Sequence, residues 1–207
     1  MPAMVGFGSL RGMEDRWRVA SLPVLEARVW ESLGDAVARP DAAWRTPVVA
    51  SVGSGPRAVD ARVMVLRAVS RARGTLTCFT DARSPKLDAV RSTPFLAWTF
   101  YDPGERVQLR VGTTVEIHVD DAVSREAWAL VPEPGRKNYA TRLAPGSCIP
   151  GPLAGHDFTV ALAEHFAVLA GTVTEIDWLW MAADGHRRAR FRYDAGGVPA
   201  VAEWLVP

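Results

Sequence analysis

From residue 46 to residue 119 the chain alternates short, β-prone apolar segments with tight turn signals, and this rhythm limits the possible folds more than any other feature. "TPVVASV" leads through the turn "SGP" to "AVDARVMVLRAV" and "GTLTCFT"; "PFLAWTFYD" leads through "PGE" to the long "RVQLRVGTTVEIHV". Runs of this kind with connections of a few residues read as an antiparallel meander. The pattern returns in "GTVTEIDWLWMA", the turn "DG", "HRRARFRY", the turn "AGG" and "VPAVAEWLV". About seven strands, mostly hairpin-linked, with helices at the edges predict a mainly β (α+β) fold. An antiparallel barrel with accessory helices is the economical closure, because a barrel leaves no exposed strand edge.

Four segments break the β rhythm. In residues 22–38, Leu22, Leu25, Val29 and Leu33 form an apolar stripe at helical spacing, which predicts a helical N-terminal extension over about residues 14–40. "SPKLDAVRS" reads as a short helix with Ser84 as N-cap and Pro85 at the first helical position. Residues 121–130 and 157–169, "DFTVALAEHFAVL", also read as helices, separated by a Pro- and Gly-rich loop over residues 132–155. With 207 residues, 48% of them hydrophobic, one core suffices, and a single domain over 1–207 is expected.

Charge and composition exclude several function classes. Lys+Arg is 24 against Asp+Glu 23, so no overall field attracts nucleic acid or an anionic membrane, and any anion site must be local. "GFGSLRG" follows no strand and makes a poor nucleotide loop, and the scattered His118, His156, His165 and His186 show no metal spacing. No Ser or Cys sits in a recognisable nucleophile context. Cys78 and Cys148 form no CxxC pair, the start "MPAMVGFGSLRGMEDR" shows no export signal, and no run approaches a membrane span; a cytoplasmic protein is expected.

The stretch "FTDARSPK", Phe79 to Lys86, gathers donors where a strand hands over to a helix. Thr80, Ser84 and Lys86 would add two hydroxyls and one ammonium to the free N–H groups of a helix start, which together suit a phosphate monoester. Lys86 stands out because only it and Lys137 are lysines among the 24 basic residues. A capped turn with Arg83 and Lys86 in solvent is the plain alternative. In "DARVMVLR", Arg62 and Arg67 are five residues apart, which in a regular strand puts them on opposite faces unless a bulge intervenes. In "VQLRV", Gln108 and Arg110 share one face; this is either simple solvation or an amide projecting towards a heteroaromatic ring. In "IDWLWM", Trp178 and Trp180 share one face as paired core aromatics.

The order "RVMVLR", hairpin, "FTDARSPK", "VQLRVG", then "IDWL" with "HRRARF" resembles the FMN-binding split-barrel family of pyridoxamine 5′-phosphate oxidase, over roughly residues 45–193. The resemblance implies a split β-barrel and a homodimer holding two FMN molecules at its interface, each contacted by both chains. It assigns FMN-phosphate contacts to Arg62, Ser84 and Lys86, lays the backbone of Val63 and Met64 along the cofactor, and puts Arg67 nearer the ring and substrate. Phe79 and Thr80 match a Tyr-Thr pair near the ribityl chain, Gln108 the glutamine that bonds the ring system, and Arg190 an arginine that reaches the flavin. The family tryptophan aligns with Leu179, so Trp178 either substitutes for it or the role is lost. The clamp by which the vitamin B6 oxidases hold their substrate is missing or rebuilt: the chain reads "REAWALVPEPGRKNY" and "HRRARF" there. The implied function is an FMN-dependent oxidoreductase that transfers hydride to or from the flavin N5 on a small molecule, with Arg67 and Arg187 as substrate contacts. Two alternatives remain: a pyridoxamine or pyridoxine phosphate oxidase proper, and a flavin- or haem-binding protein without turnover.

Overall fold

The computed structural model describes residues 16–53, 58–159, 163–194 and 197–207. The "GFGSLRG" segment, most of the N-terminal start, the "SGP" turn and part of the "AGG" turn lie outside them. Nine strands are described: β1 Val48–Val52, β2 Val59–Val63, β3 Leu66–Ser70, β4 Thr75–Asp81, β5 Phe95–Asp102, β6 Val107–Val119, β7 Phe166–Trp180, β8 Arg187–Tyr193 and β9 Pro199–Leu205. Every pairing is antiparallel, in the order β2-β1-β5-β6-β7-β4-β3, with β8 and β9 continuing from the C-terminal half of β7. The helices are α1 Leu22–Ala38, α2 Lys86–Ser92, α3 Ala122–Ala129 and α4 Glu133–Arg136.

The sheet is not closed, and its class is the split barrel that the resemblance implies. "AVDARVMVLRAV" is not one strand but two, because its first half pairs with β1 and its second half with β4. Met64 and Val65 carry the chain from one end of the sheet order to the other, and no hydrogen-bonded ladder joins β2 to β3 among the described residues. This break also removes the difficulty at Arg62 and Arg67. They stand on different strands on either side of a gap, so strand alternation does not set their relative directions.

The helix expected over residues 157–169, of which 160–162 lie outside the described residues, is a second correction. Ala163–His165 is a single 3-10 turn and β7 begins at Phe166. Phe166, Ala167, Val168 and Leu169 are all buried, because α3 covers one face of the strand and the main core lies behind the other. A strand buried on both faces loses its alternation and reads as a continuous apolar run, which periodicity cannot tell from a helix. The 132–155 loop holds α4 and two further 3-10 turns, at Lys137–Tyr139 and Pro152–His156.

The N-terminal helix is part of the core rather than an appendage to it. Leu25, Val29 and Leu33 are fully buried, each contributing about 1.5–3 kcal/mol by removal from water, while Leu22 packs at the edge. Ahead of it, Trp17 packs on Trp44 and Trp178 and donates to Glu105 Oε2 at 2.6 Å. On the opposite side of the sheet a smaller cluster gathers Val131, Tyr139, Phe166 and Val168 with Phe79 and Trp128. No helix among the described residues is long and apolar enough to cross a membrane.

Candidate cofactor site

The gap between β2 and β3 is where the candidate residues meet. A pocket of about 300 Å3 there is lined by Arg62, Val63, Met64, Arg67, Phe79, Thr80 and Lys86, together with Val65, Asp81, Asn138 and Tyr139. Lys86 Nζ donates to Thr80 Oγ1 at 2.9 Å and to Ser84 Oγ at 2.7 Å, and both hydroxyl residues are buried. Arg62 approaches from β2, donating to Ser51 Oγ at 3.0 Å and pairing with Asp60. No carboxylate pairs with Lys86 among the described residues. Burial, and then the Arg62 guanidinium, hold its pKa below the ordinary lysine value. A half-buried ammonium and a neighbouring guanidinium with two hydroxyls between strand and helix form a site that an anion would complete. The donor set fits a phosphate monoester.

Two details differ from the expected geometry. Ser84 is not the N-cap: α2 begins one residue later, after Pro85, without a side-chain cap. The first-turn N–H groups of Leu87 and Asp88 are taken by the carbonyls of Ser84 and Pro85. The cradle therefore rests on side chains, not on a helix end. Arg83, in turn, is a brace. It grips Asp81 through Nε and Nη2 at 3.0 and 2.7 Å and bonds the Thr141 carbonyl at 2.9 Å, tying the 132–155 loop to the end of β4.

Arg67 stands on the other side of the gap, with its guanidinium carbon 5.7 Å from the centroid of Phe79. Phe79 packs edge-on against Phe166, which also meets Trp128 and Tyr139. Asn138 and Tyr139 were missed as individual site residues, although the "EPGRKNY" segment that carries them is a visible departure from the family's pattern. Burial pushes the Tyr139 hydroxyl pKa up to about 12. Burial likewise pushes the Cys78 thiol, directly behind the cradle, up to about 12 against the opposing charges of Lys86 and Arg62.

Gln108, Arg190, Arg187 and Trp178 are not brought to this pocket within the chain. Gln108 is half-buried on the outer face of β6, opposite Tyr101 and Leu179. Arg190 lies on the same face, donating to Glu203 Oε1 at 2.6 and 2.9 Å. Arg187 is held by Asp184 and stacks over Trp180 at 5.0 Å. Trp178 is wholly buried between Trp17 and Trp204, so its ring has no free face for a flavin; the alternation of β7 turns Leu179 outward instead.

Residues 27–119 match the family model described as "Pyridoxamine 5′-phosphate oxidase, FMN-binding domain", a span that holds the whole cradle and Gln108. No curated protein matches the sequence. Among solved structures, a pyridoxamine 5′-phosphate oxidase-related FMN-binding protein from Nostoc punctiforme PCC 73102 is similar with a TM-score of 0.72 at 18% identity, covering 92% of this chain and 97% of its own. PhzG from Burkholderia lata 383, solved with tetrahydrophenazine-1-carboxylic acid, is similar with a TM-score of 0.69 at 16% identity, covering 98% of each chain. A protein related to general stress protein 26, from Clostridium acetobutylicum, reaches a TM-score of 0.52 at 12% identity, covering 81% of this chain and 96% of its own. Residues 27–119 thus match the FMN-binding domain model of the pyridoxamine 5′-phosphate oxidase family, and the chain has the split-barrel fold of these solved structures, which include proteins other than the vitamin B6 oxidase itself.

Proposed function

We propose that the protein is an FMN-dependent oxidoreductase acting on a small molecule, with Arg62, Thr80, Ser84 and Lys86 holding the cofactor's phosphate. The observation that carries this reading is the convergence of Lys86 Nζ on the Thr80 and Ser84 hydroxyls beside Arg62. When bound, FMN supplies a two-electron centre that accepts or donates hydride at its N5. The chain's own contribution is to bind and orient: the cradle fixes the phosphate, the backbone of Val63 and Met64 borders the gap, and Arg67 over Phe79 supplies positive charge beyond it.

In this reading a homodimer completes the site. Gln108 and Arg190 share their sheet face with exposed apolar side chains, Val48, Val52, Val59, Val63, Phe95 and Tyr101. An apolar face of this kind on paired strands suits a second copy, which would carry Gln108 and Arg190 towards the partner's cradle. Unpaired Cys78 and Cys148 support a reducing, cytoplasmic setting.

The test is the visible spectrum of the purified protein, before and after incubation with FMN, with mass identification of whatever heat releases. A flavin spectrum and a released mass equal to FMN are expected. A colourless protein that takes up no added FMN overturns the proposal.

A further inference from the structure

A second cavity, of about 650 Å3, opens beside the cradle pocket, and Arg67, Phe79 and Tyr139 line both. Its floor is the face of the sheet turned away from the main core, where the side chains are small: Ala68, Thr75, Thr77 and Ala170. Its cover is α3 and the turn after it, through Val123, Ala127, Leu130 and Val131. Small residues beneath a helix leave a space that the chain does not fill, and its size is that of a site for a molecule of two or three rings.

The charges around this cavity are uneven. Elsewhere on the sheet arginines meet carboxylates: Arg110 and Arg188 share Asp177, Arg190 holds Glu203 and Arg192 holds Glu175. Arg67 and Arg73, which line the cavity, have no carboxylate partner among the described residues. Arg45 also lines it but is spent on the carbonyls of Ala36 and Val37 at the end of α1. Glu116, His118 and the Tyr139 hydroxyl contribute the remaining charged or titratable groups. Asp121 fixes His118 through Nδ1 at 2.7 Å, leaving Nε2 3.8 Å from Glu116 Oε2. Two unpaired guanidinium groups call for an anion, while Glu116 opposes a second negative charge. A single carboxylate on an apolar body satisfies both conditions better than a phosphate dianion does.

We propose that this cavity is the substrate site, and that the substrate class is a hydrophobic, ring-bearing carboxylic acid whose rings lie over Ala68, Thr77 and Ala170 beneath α3 and whose carboxylate is drawn by the positive charge of Arg67 and Arg73, at the start of β3 and in the turn after it. The assignment rests on the reading of the adjoining cradle as the FMN site, since Arg67 borders both spaces.

The experiment is calorimetric titration of the purified protein, with its cofactor content recorded separately, using naphthoate, naphthalenemethanol and naphthyl phosphate as probes. Naphthoate should bind about 10-fold or more tighter than the neutral alcohol, the worth of a charge-assisted contact, and tighter than the phosphate. Ala170→Leu, which fills the floor, and Arg73→Gln, in an exposed turn, should each weaken naphthoate about 10-fold with cofactor content unchanged. If Ala170→Leu does not fold, Leu130→Glu at the exposed cover takes its place, its carboxylate repelling the probe, with the same loss of naphthoate affinity expected. Equal binding of the three probes, preference for naphthyl phosphate, or variants that keep both naphthoate affinity and cofactor would overturn the substrate class. A protein that binds naphthoate but never FMN would instead overturn the cofactor reading, so the two failures are distinguishable.

Discussion

At the residue scale, the two cations of "FTDARSPK" have opposite employments. Lys86 is an ammonium that donates to two hydroxyls and has no carboxylate partner among the described residues, and Arg83 is a brace locked to Asp81 and the Thr141 carbonyl. Lys86→Ala should weaken FMN binding about 10- to 100-fold, the value of a hydrogen bond to a charged group, whereas Arg83→Ala should lower the melting temperature and change affinity far less. Fluorescence titration with FMN and thermal unfolding of both variants check this. Because the Lys86 pKa is depressed, its charge is lost as pH rises, so FMN affinity should fall on the alkaline side before an ordinary lysine would titrate. Thiol chemistry gives a further test. Cys78 is buried with its pKa near 12 and Cys148 is exposed, so one thiol should react with a disulfide reagent at neutral pH in the native protein, and both after unfolding. The convergence of Thr80, Ser84 and Lys86 was legible because they lie within seven residues of one another. Trp178 and Arg187 were not, since register and core packing decide which face of β7 and β8 meets a ligand.

At the element scale, β6 and β7 form the spine, and their ladder shifts register between Gly112 and Thr113. Thr113 is fully buried, accepts from Trp98 Nε1 at 2.9 Å and lies directly against Gly171, where an added Cβ would stand 2.8 Å from Thr113 Oγ1. Gly171→Ala should therefore destabilise the fold by about 1–3 kcal/mol through overpacking, read as a lower midpoint in urea. On the outer face of the same strands, burial opposes the charge of Asp177, but the bonds from Arg188 and Arg110 outweigh it and hold its pKa low. A depressed carboxylate pKa stabilises the fold above the unfolded-state value and ceases to do so as pH falls through the folded-state value. Asp177→Asn should thus cost stability at neutral pH, and the difference from the parent should shrink as pH falls below about 4. The meander was legible because turn residues punctuate it. The break at Met64–Val65 was not, because two apolar residues mark it and only the exchange of partners, β1 for β4, creates it. The helix expected over 157–169 failed for the related reason that Phe166–Leu169 is covered on both faces.

At the scale of the whole molecule, the chain assembles most of its expected flavin contacts around the gap and carries Gln108 and Arg190 on a separate apolar face. A dimer across that face should appear in light scattering, and a charge placed within it, Val63→Glu, should shift the protein towards monomer and loosen FMN together. Vitamin B6 oxidase activity is not expected, since the substrate clamp has no counterpart in "REAWALVPEPGRKNY", and pyridoxine phosphate should release no hydrogen peroxide in an oxygen-coupled assay. The break at Met64–Val65 also bears on folding. The β1–β2 and β3–β4 hairpins are local, but each must dock on a strand far away in sequence, β5 for the first and β7 for the second. The cradle spans the seam between them and exists only once both have docked. Cofactor retention then works as a headcount of completed chains: a population with either hairpin astray keeps much of its sheet and loses its colour.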